Sequence, residues 1–189
     1  MIHTGIRVDY PSWVDGKIDW ERRYDSDEDK MRLAIAVAQC NVLEDTGGPF
    51  GAAIFEQVSG RLVSVGMNMV IPQNNCVLHG EIVAFMMAQA RIGSFTLGAS
   101  ELPVHVLASS CEPCAMCLGA TLWSGVKRVI CGAKREDAEV LQFEEGPVFA
   151  ESYVYLAERG IEFRHEVCRK EAAAVLDQYV RRSGRVYNG

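Results

Sequence analysis

The 189-residue chain has no apolar run approaching the ~18 residues that a membrane-spanning helix needs. Its first ten residues, Met1 to Tyr10, have neither the basic start nor the apolar stretch of a secretory signal, and a cytosolic protein is expected. No long block of lysine and arginine occurs. With 19 basic against 25 acidic residues the formal net charge is −6. That balance argues against a long nucleic-acid partner, because affinity for a phosphate backbone follows local Lys/Arg density. Arg181, Arg182 and Arg185 cluster near the C-terminus, where they read as complementing a helix dipole. Internal repeats and low-complexity linkers are missing too. No separate second C-x-x-C pair, such as a zinc ribbon requires, lies elsewhere in the chain.

What is present is ordinary soluble globular composition, 49% hydrophobic and 23% charged, in a length that suits one domain with a buried core. Seven cysteines is an odd count. Cys40, Cys76, Cys131 and Cys168 stand singly beside apolar or helical stretches and read as buried reduced thiols of a cytosolic protein. Cys111, Cys114 and Cys117 crowd into one short stretch and need a separate reason.

Residues 1–25 hold Tyr10, Trp13, Trp20 and Tyr24 without a period. They read as an irregular arm packed on a domain over 26–189, whose last residues, 183–189, form a tail. A helix is predicted from Ser26 to about Glu44, with Asp27, Glu28 and Asp29 in its positive first turn and Ser26 with Asp29 as a capping box. Gly47-Gly48-Pro49 stops it. Strands over 52–58 and 62–70 flank the hairpin signal Ser59-Gly60. Further helices are predicted over 79–91, 114–124, 148–159 and 169–182, and strands over 103–109, 127–131 and 161–165. The stretch between 132 and 147 reads as loop. Strand–helix–strand alternation in the second half implies right-handed crossovers and a sheet covered on both faces. The expected fold is therefore α/β, a three-layer α/β/α sandwich with a mixed five-stranded sheet.

Chemistry concentrates in two motifs at helix starts, His79-Gly80-Glu81 and Pro113-Cys114-Ala115-Met116-Cys117. Cys114 and Cys117, three apart, share a helical face, so both sulfurs can reach one ion, and His79 from the neighbouring helix supplies a third donor. Three protein ligands leave the fourth tetrahedral position open, which separates a catalytic zinc from a closed structural one. Glu81 is then placed to carry protons without being a ligand, as in the H-x-E…P-C-x-x-C signature of zinc deaminases. Cys111 lies outside that frame at a strand end, and its thiol is expected to point away, because a fourth sulfur would close the site. His3, His105 and His165 read as surface or satisfied core residues. A zinc-stabilised scaffold without catalysis is the alternative from another class, and it leaves Glu81 without a purpose.

Over residues 26–165 the chain resembles the cytidine deaminase-like superfamily. Ser110-Cys-Glu-Pro-Cys-Ala-Met-Cys-Leu-Gly-Ala120 looks like the branch holding guanine, tRNA adenosine and fungal-type cytosine deaminases. Gly47-Gly-Pro-Phe-Gly51, Trp123-Ser-Gly-Val126 and Phe143-Glu-Glu-Gly-Pro147 look most like bacterial guanine deaminases, some of which accept ammeline. The resemblance implies one zinc per chain and hydrolytic deamination of a nucleobase, with guanine to xanthine and ammonia in the lead. It implies that Asn68 hydrogen-bonds the base and that Phe50 and Trp123 help form the ring pocket. Glu145, or its neighbour Glu144, reads the ring edge or assists proton transfer. A homodimer is also implied, in which the tail Val186-Tyr187-Asn188 closes a pocket, its own or the partner's, with Tyr187 toward the substrate. Gly80 departs from the pattern. Most guanine and tRNA deaminases carry alanine there and fungal-type cytosine deaminases carry glycine, which keeps cytosine in play. A tRNA adenosine deaminase needs an electropositive groove, against which the acidic balance counts.

Overall fold

A computed structural model describes residues 5–188; His3 and the last residue of the tail lie outside that range. The arm is not irregular throughout. A short helix, α1 (Trp13–Lys17), forms within it, and Arg23 bridges to Arg61 beside the first hairpin. Trp13, Val14, Ile18 and Tyr24 are buried in the main core, so the arm is part of the body. Aromatic residues without a period hid a helix of barely more than one turn.

Ser26 caps the first long helix, α2 (Asp27–Leu43): its Oγ accepts the Asp29 N–H at 3.1 Å. Only this half of the expected capping box is made, because Asp29 turns its carboxylate to Arg22 instead. The strands β1 (Gly51–Glu56) and β2 (Leu62–Met67) form the expected hairpin. The chain then runs α3 (Gly80–Ile92), β3 (His105–Cys111), α4 (Ala115–Ser124) and β4 (Arg128–Ala133), followed by α5 (Arg135–Glu139), α6 (Ala150–Glu158), β5 (Glu162–Arg164) and α7 (Arg169–Arg181). Helix α5 falls in the stretch read as loop. Its polar residues carry no apolar period, and it starts where Asp137 accepts the Lys134 N–H at 2.9 Å.

The sheet order is β2-β1-β3-β4-β5. β1 runs antiparallel to β2 and β3, while β3, β4 and β5 are mutually parallel. Alternate residues serve the two faces, as the period of a strand demands. Ala53, Phe55, Val106, Ala108 and Ile130 pack with α2 and α7. Ala52, Ile54, Leu107, Val129 and Cys131 pack with α3, α4 and α6. Burial on both faces explains why these strands are apolar throughout rather than alternating. The expected β3 is displaced by two residues, since its parallel pairing with β4 continues to Cys111 opposite Ala133.

Gly66 sets how deep α3 sits on β2. A Cβ there would lie 2.1 Å from Gly80 O and 2.3 Å from Ala84 N, so only glycine permits the contact. His105 is wholly buried; its Nδ1 meets Leu97 O at 2.8 Å while its Nε2 has no partner, so it is a core histidine only half satisfied.

The start of α2 is pinned to the far strands by charge. Arg128 grips Asp27 with two bonds of 2.7 Å, and Arg164 adds another. Burial pushes the Asp27 carboxyl up, but the hydrogen bonds and charges of Arg164 and Arg128 outweigh it and hold it below the ordinary range. Asp27→Asn is expected to lower stability to urea by about 2 kcal/mol, because it leaves a partly buried arginine cluster without its counter-charge. The deficit should be full at neutral pH and shrink as pH falls through the lowered pKa, where the wild-type carboxylate also loses its charge. Zinc content should not change, which metal analysis of the purified variant checks.

Candidate active site

Two helix N-termini on one face of the sheet converge at the carboxyl end of β3. His79 is the N-cap of α3 and Cys114 the N-cap of α4, both in extended backbone just before the first turn. Cys117 lies on the first turn of α4 and is wholly buried. The donor atoms of His79, Cys114 and Cys117 all lie within 4.8 Å of one another. Cys114 Sγ stands 3.5 Å from His79 Nδ1. Tetrahedral zinc with bonds of about 2.3 Å to sulfur and 2.0–2.1 Å to nitrogen separates such donors by roughly 3.5 Å. The donor set fits the metal in kind and in spacing. Cys111 is turned away, its sulfur 3.5 Å from Lys134 O.

The electrostatics suit a cation. The Cys117 thiol and His79 stabilise the Cys114 thiolate against burial and bring its pKa down to about 4. Burial disfavours a charge on His79, but its hydrogen bond to Cys114 and the charges of Cys114, Glu81 and Glu145 prevail and raise its pKa. Glu81 is 6% exposed, and burial together with the Cys114 charge raises its carboxyl. Ser109 Oγ donates to Glu81 Oε1 at 3.0 Å. Burial, helped by the charges of Cys114 and Glu81, pushes Glu145 up to about 8.

A cavity of about 150 Å³ opens above these groups. Phe50, His79, Glu81, Cys114, Glu145 and Tyr187 line it, as expected from sequence. Glu144 also reaches it but is exposed, with its Oε1 accepting the Gly146 N–H, whereas Glu145 is buried. Asn68 does not line the cavity surface. It is buried beside Tyr187, and among the described residues both Asn68 Nδ2 and the Tyr187 hydroxyl lack a hydrogen-bond partner, the approach between them falling short of a proper bond.

Trp123 corrects an expectation. It is 79% exposed and absent from the cavity wall. Six residues beyond Cys117, it is carried about 9 Å along the axis of α4 by the helical rise. Sequence reasoning also missed Phe143, whose ring meets those of Phe50 and Tyr187 edge-on at 5.1 and 5.5 Å and walls the cavity. Phe143 belongs to the Phe143–Pro147 motif, in which the carboxylates carry the more specific chemical signal. Asn188, from the tail expected to close a pocket, also lines it; Val70, Glu112 and Cys76, which is exposed where a buried thiol is expected, complete the lining.

Three donors would leave a bound zinc one position for a reacting water, and Glu81 is the carboxylate beside these donors. Fold and site together define a zinc-dependent hydrolytic deaminase. Residues 24–133 match the family model described as the cytidine and deoxycytidylate deaminase zinc-binding region, and the chain belongs to that family. Among curated proteins it is similar to the guanine deaminase of Bacillus subtilis (strain 168), 35% identical over 70% of this chain and 81% of that one. It is also similar to a tRNA-specific adenosine deaminase of Buchnera aphidicola, 28% identical over 82% and 95% of the two chains. Among solved structures it resembles the guanine deaminase from Nitrosomonas europaea, with a TM-score of 0.89 and 34% identity over 95% of this chain and 98% of that one. The protein NE0047 in complex with 2,6-diaminopurine aligns with a TM-score of 0.90 and 36% identity over 96% of each chain.

The donor assignment separates three neighbouring thiols. Cys117→Ala should lower bound zinc from one per chain to a small fraction, while Cys111→Ala should retain it. Elemental analysis after dialysis against a mild chelator checks both, and zinc loss in the Cys111 variant alone would refute the assignment.

Proposed function

We propose that the chain deaminates free guanine to xanthine and ammonia. The observation that carries the reading is a small cavity lined by Glu81 and Tyr187, with the Tyr187 hydroxyl and, beside it, Asn68 Nδ2 buried and unpaired among the described residues. Buried polar atoms without partners are rare in native proteins and suit a polar ring that would pair with them. The volume, about 150 Å³, is small against the roughly 300–1,000 Å³ of pockets for drug-sized ligands, which favours a base over a nucleoside. The similarity to guanine deaminases supports the choice of base. Gly80 counts little toward cytosine, because a methyl there would meet Phe50 O at 3.2 Å and the Gly51 Cα, on the sheet side of the helix.

Zinc, when bound, would supply a water acidified to a pKa of about 7 and a Lewis acid for the developing charge. The chain's own residues do the rest. Phe50 and Phe143 hold the ring between apolar walls, and Asn68 with Tyr187 bonds its polar edge. Glu145, its pKa raised by burial, reads the ring edge or assists proton transfer. Glu81 takes a proton from the nucleophile, gives it to the ring nitrogen beside the amino-bearing carbon, and delivers the next to the leaving amine. The tail closes the cavity of its own chain: Asn188 accepts the Glu144 N–H at 2.8 Å and donates to Gln142 O at 2.9 Å. The seven unbridged thiols suit a reducing, cytoplasmic compartment.

We place a second copy of the chain on the face made by α4 and α6. Met116, Trp123, Phe149, Val154 and Tyr155 are exposed there around a groove lined by Leu118, Leu122 and Leu156, an apolar surface of the kind that marks an interface. Trp123 then has a role as a dimer contact. Sedimentation should give a dimer for the wild type and a monomer for Trp123→Arg, and a monomeric wild type would dismiss the assembly.

Ammonia release from the purified protein, screened over guanine, cytosine, ammeline and their nucleosides where these exist, tests the substrate. Guanine should lead. Glu81→Gln should keep one zinc per chain and reduce turnover by about 10³-fold or more, in line with loss of a positioned acid–base group and its electrostatics. Zinc-loaded wild type inert toward every base would favour the scaffold reading.

A further inference from the structure

Three side chains connect the N-terminal arm to the site. The Trp13 Nε1–H donates to Thr46 Oγ1 at 2.9 Å, and that hydroxyl donates onward to Asn41 Oδ1 at 2.7 Å. Asn41 gives its amide hydrogens to two carbonyl oxygens, Gly48 O at 2.8 Å and Asn68 O at 2.9 Å. The direction is forced, because an indole N–H can only donate and a carbonyl can only accept. Asn41 is wholly buried, so its two bonds to carbonyl oxygens lie where a lost partner is costly, while the bonds through Thr46 are part-buried.

The network ends on the peptide of Asn68. Its N–H donates to Phe50 O at 2.9 Å, and its carbonyl takes the Asn41 amide and the Gly48 N–H. The Gly47 backbone passes so close that a Cβ there would lie 1.9 Å from Asn68 O and 2.7 Å from Asn41 Nδ2. A Cβ at Gly48 would lie 2.1 Å from the Tyr187 hydroxyl. One amide thus ties together the end of α2, the 46–50 loop and the exit of β2. Meanwhile the Asn68 side chain keeps its Nδ2 unpaired.

We propose that Asn41 is a positioning residue for base recognition: it fixes the peptide from which Asn68 reaches the substrate, and Thr46 and Trp13 make the N-terminal arm part of that machinery. The inference rests on the reading of Asn68 as a base contact. It explains why an arm outside the matched family region carries a buried tryptophan whose N–H points at the loop before β1.

The test uses the zinc-loaded full chain with guanine as the probe. Asn41→Ala should raise KM about tenfold and Thr46→Val about threefold, with kcat within twofold of wild type, consistent with the loss of one hydrogen-bonding partner. Thr46→Ser keeps the hydroxyl and should restore the wild-type KM. In the double-mutant cycle, adding Asn41→Ala to Asn68→Ala should raise KM less than twofold further, because the group being positioned is already gone. Full additivity overturns the proposal. Asp27→Asn controls for stability, and a KM rise there as large as in Thr46→Val would also overturn it. An unchanged KM in Asn68→Ala removes the base-contact reading and this one with it; a raised KM with additive effects removes this one alone. If Asn41→Ala does not fold, Thr46→Val takes its place in the cycle.

Discussion

Everything in this molecule depends on holding an imidazole and two thiolates within a few ångströms of one another, although His79 and Cys114 are 35 residues apart in the chain. Two helix caps accomplish this. Each donor sits where backbone leaves extended geometry for the first helical turn, so its direction is set by the helix behind it. The depth of each helix on the sheet then decides whether the donors meet. At α3 that depth is fixed by backbone contact with Gly66, which has no side chain to hold the helix off. An error of one ångström there would move the imidazole out of range of any metal shared with the sulfurs.

The same burial that makes the site also sorts its acids. Glu81 and Glu145 both lie under water-excluding walls, and burial is the first cause of the rise in each. Their neighbours differ in what they allow next. Glu81 stands beside the donors and takes a hydrogen bond from Ser109, which orients it toward the reacting position. Glu145 also lines the cavity, and the charges of Cys114 and Glu81 add to burial in holding its proton. Environments that distinguish two carboxylates in this way are a common means of assigning acid and base roles.

Much of this was legible in the amino-acid order. Periodicity and turn chemistry located α2, α3, α4 and α7, both strands of the hairpin and the mixed sheet, because long apolar elements bounded by Gly, Pro and Ser leave a strong pattern. The metal donors and Glu81 were legible for a different reason: their chemistry demands particular residue types at helical spacing. Short polar elements such as α5, and α1 inside an aromatic arm, leave no such trace. Phe143 was hidden because an aromatic residue serves a core and a ligand wall equally well. Trp123 was misplaced because a motif shared with relatives does not say in which direction a helix carries its far end.

The sequence by itself determined the chemistry on offer, since His79, Cys114 and Cys117 at these intervals supply one imidazole and two sulfur donors to one point, with Glu81 as a proton carrier beside them. It equally determined the layered fold, through the alternation of strand and helix periods. Which groups face the cavity was decided only by tertiary structure. The contacts that place Asn68, Tyr187 and Glu145 run between segments distant in the chain, through carbonyl oxygens and glycine backbone that every residue order possesses and none advertises.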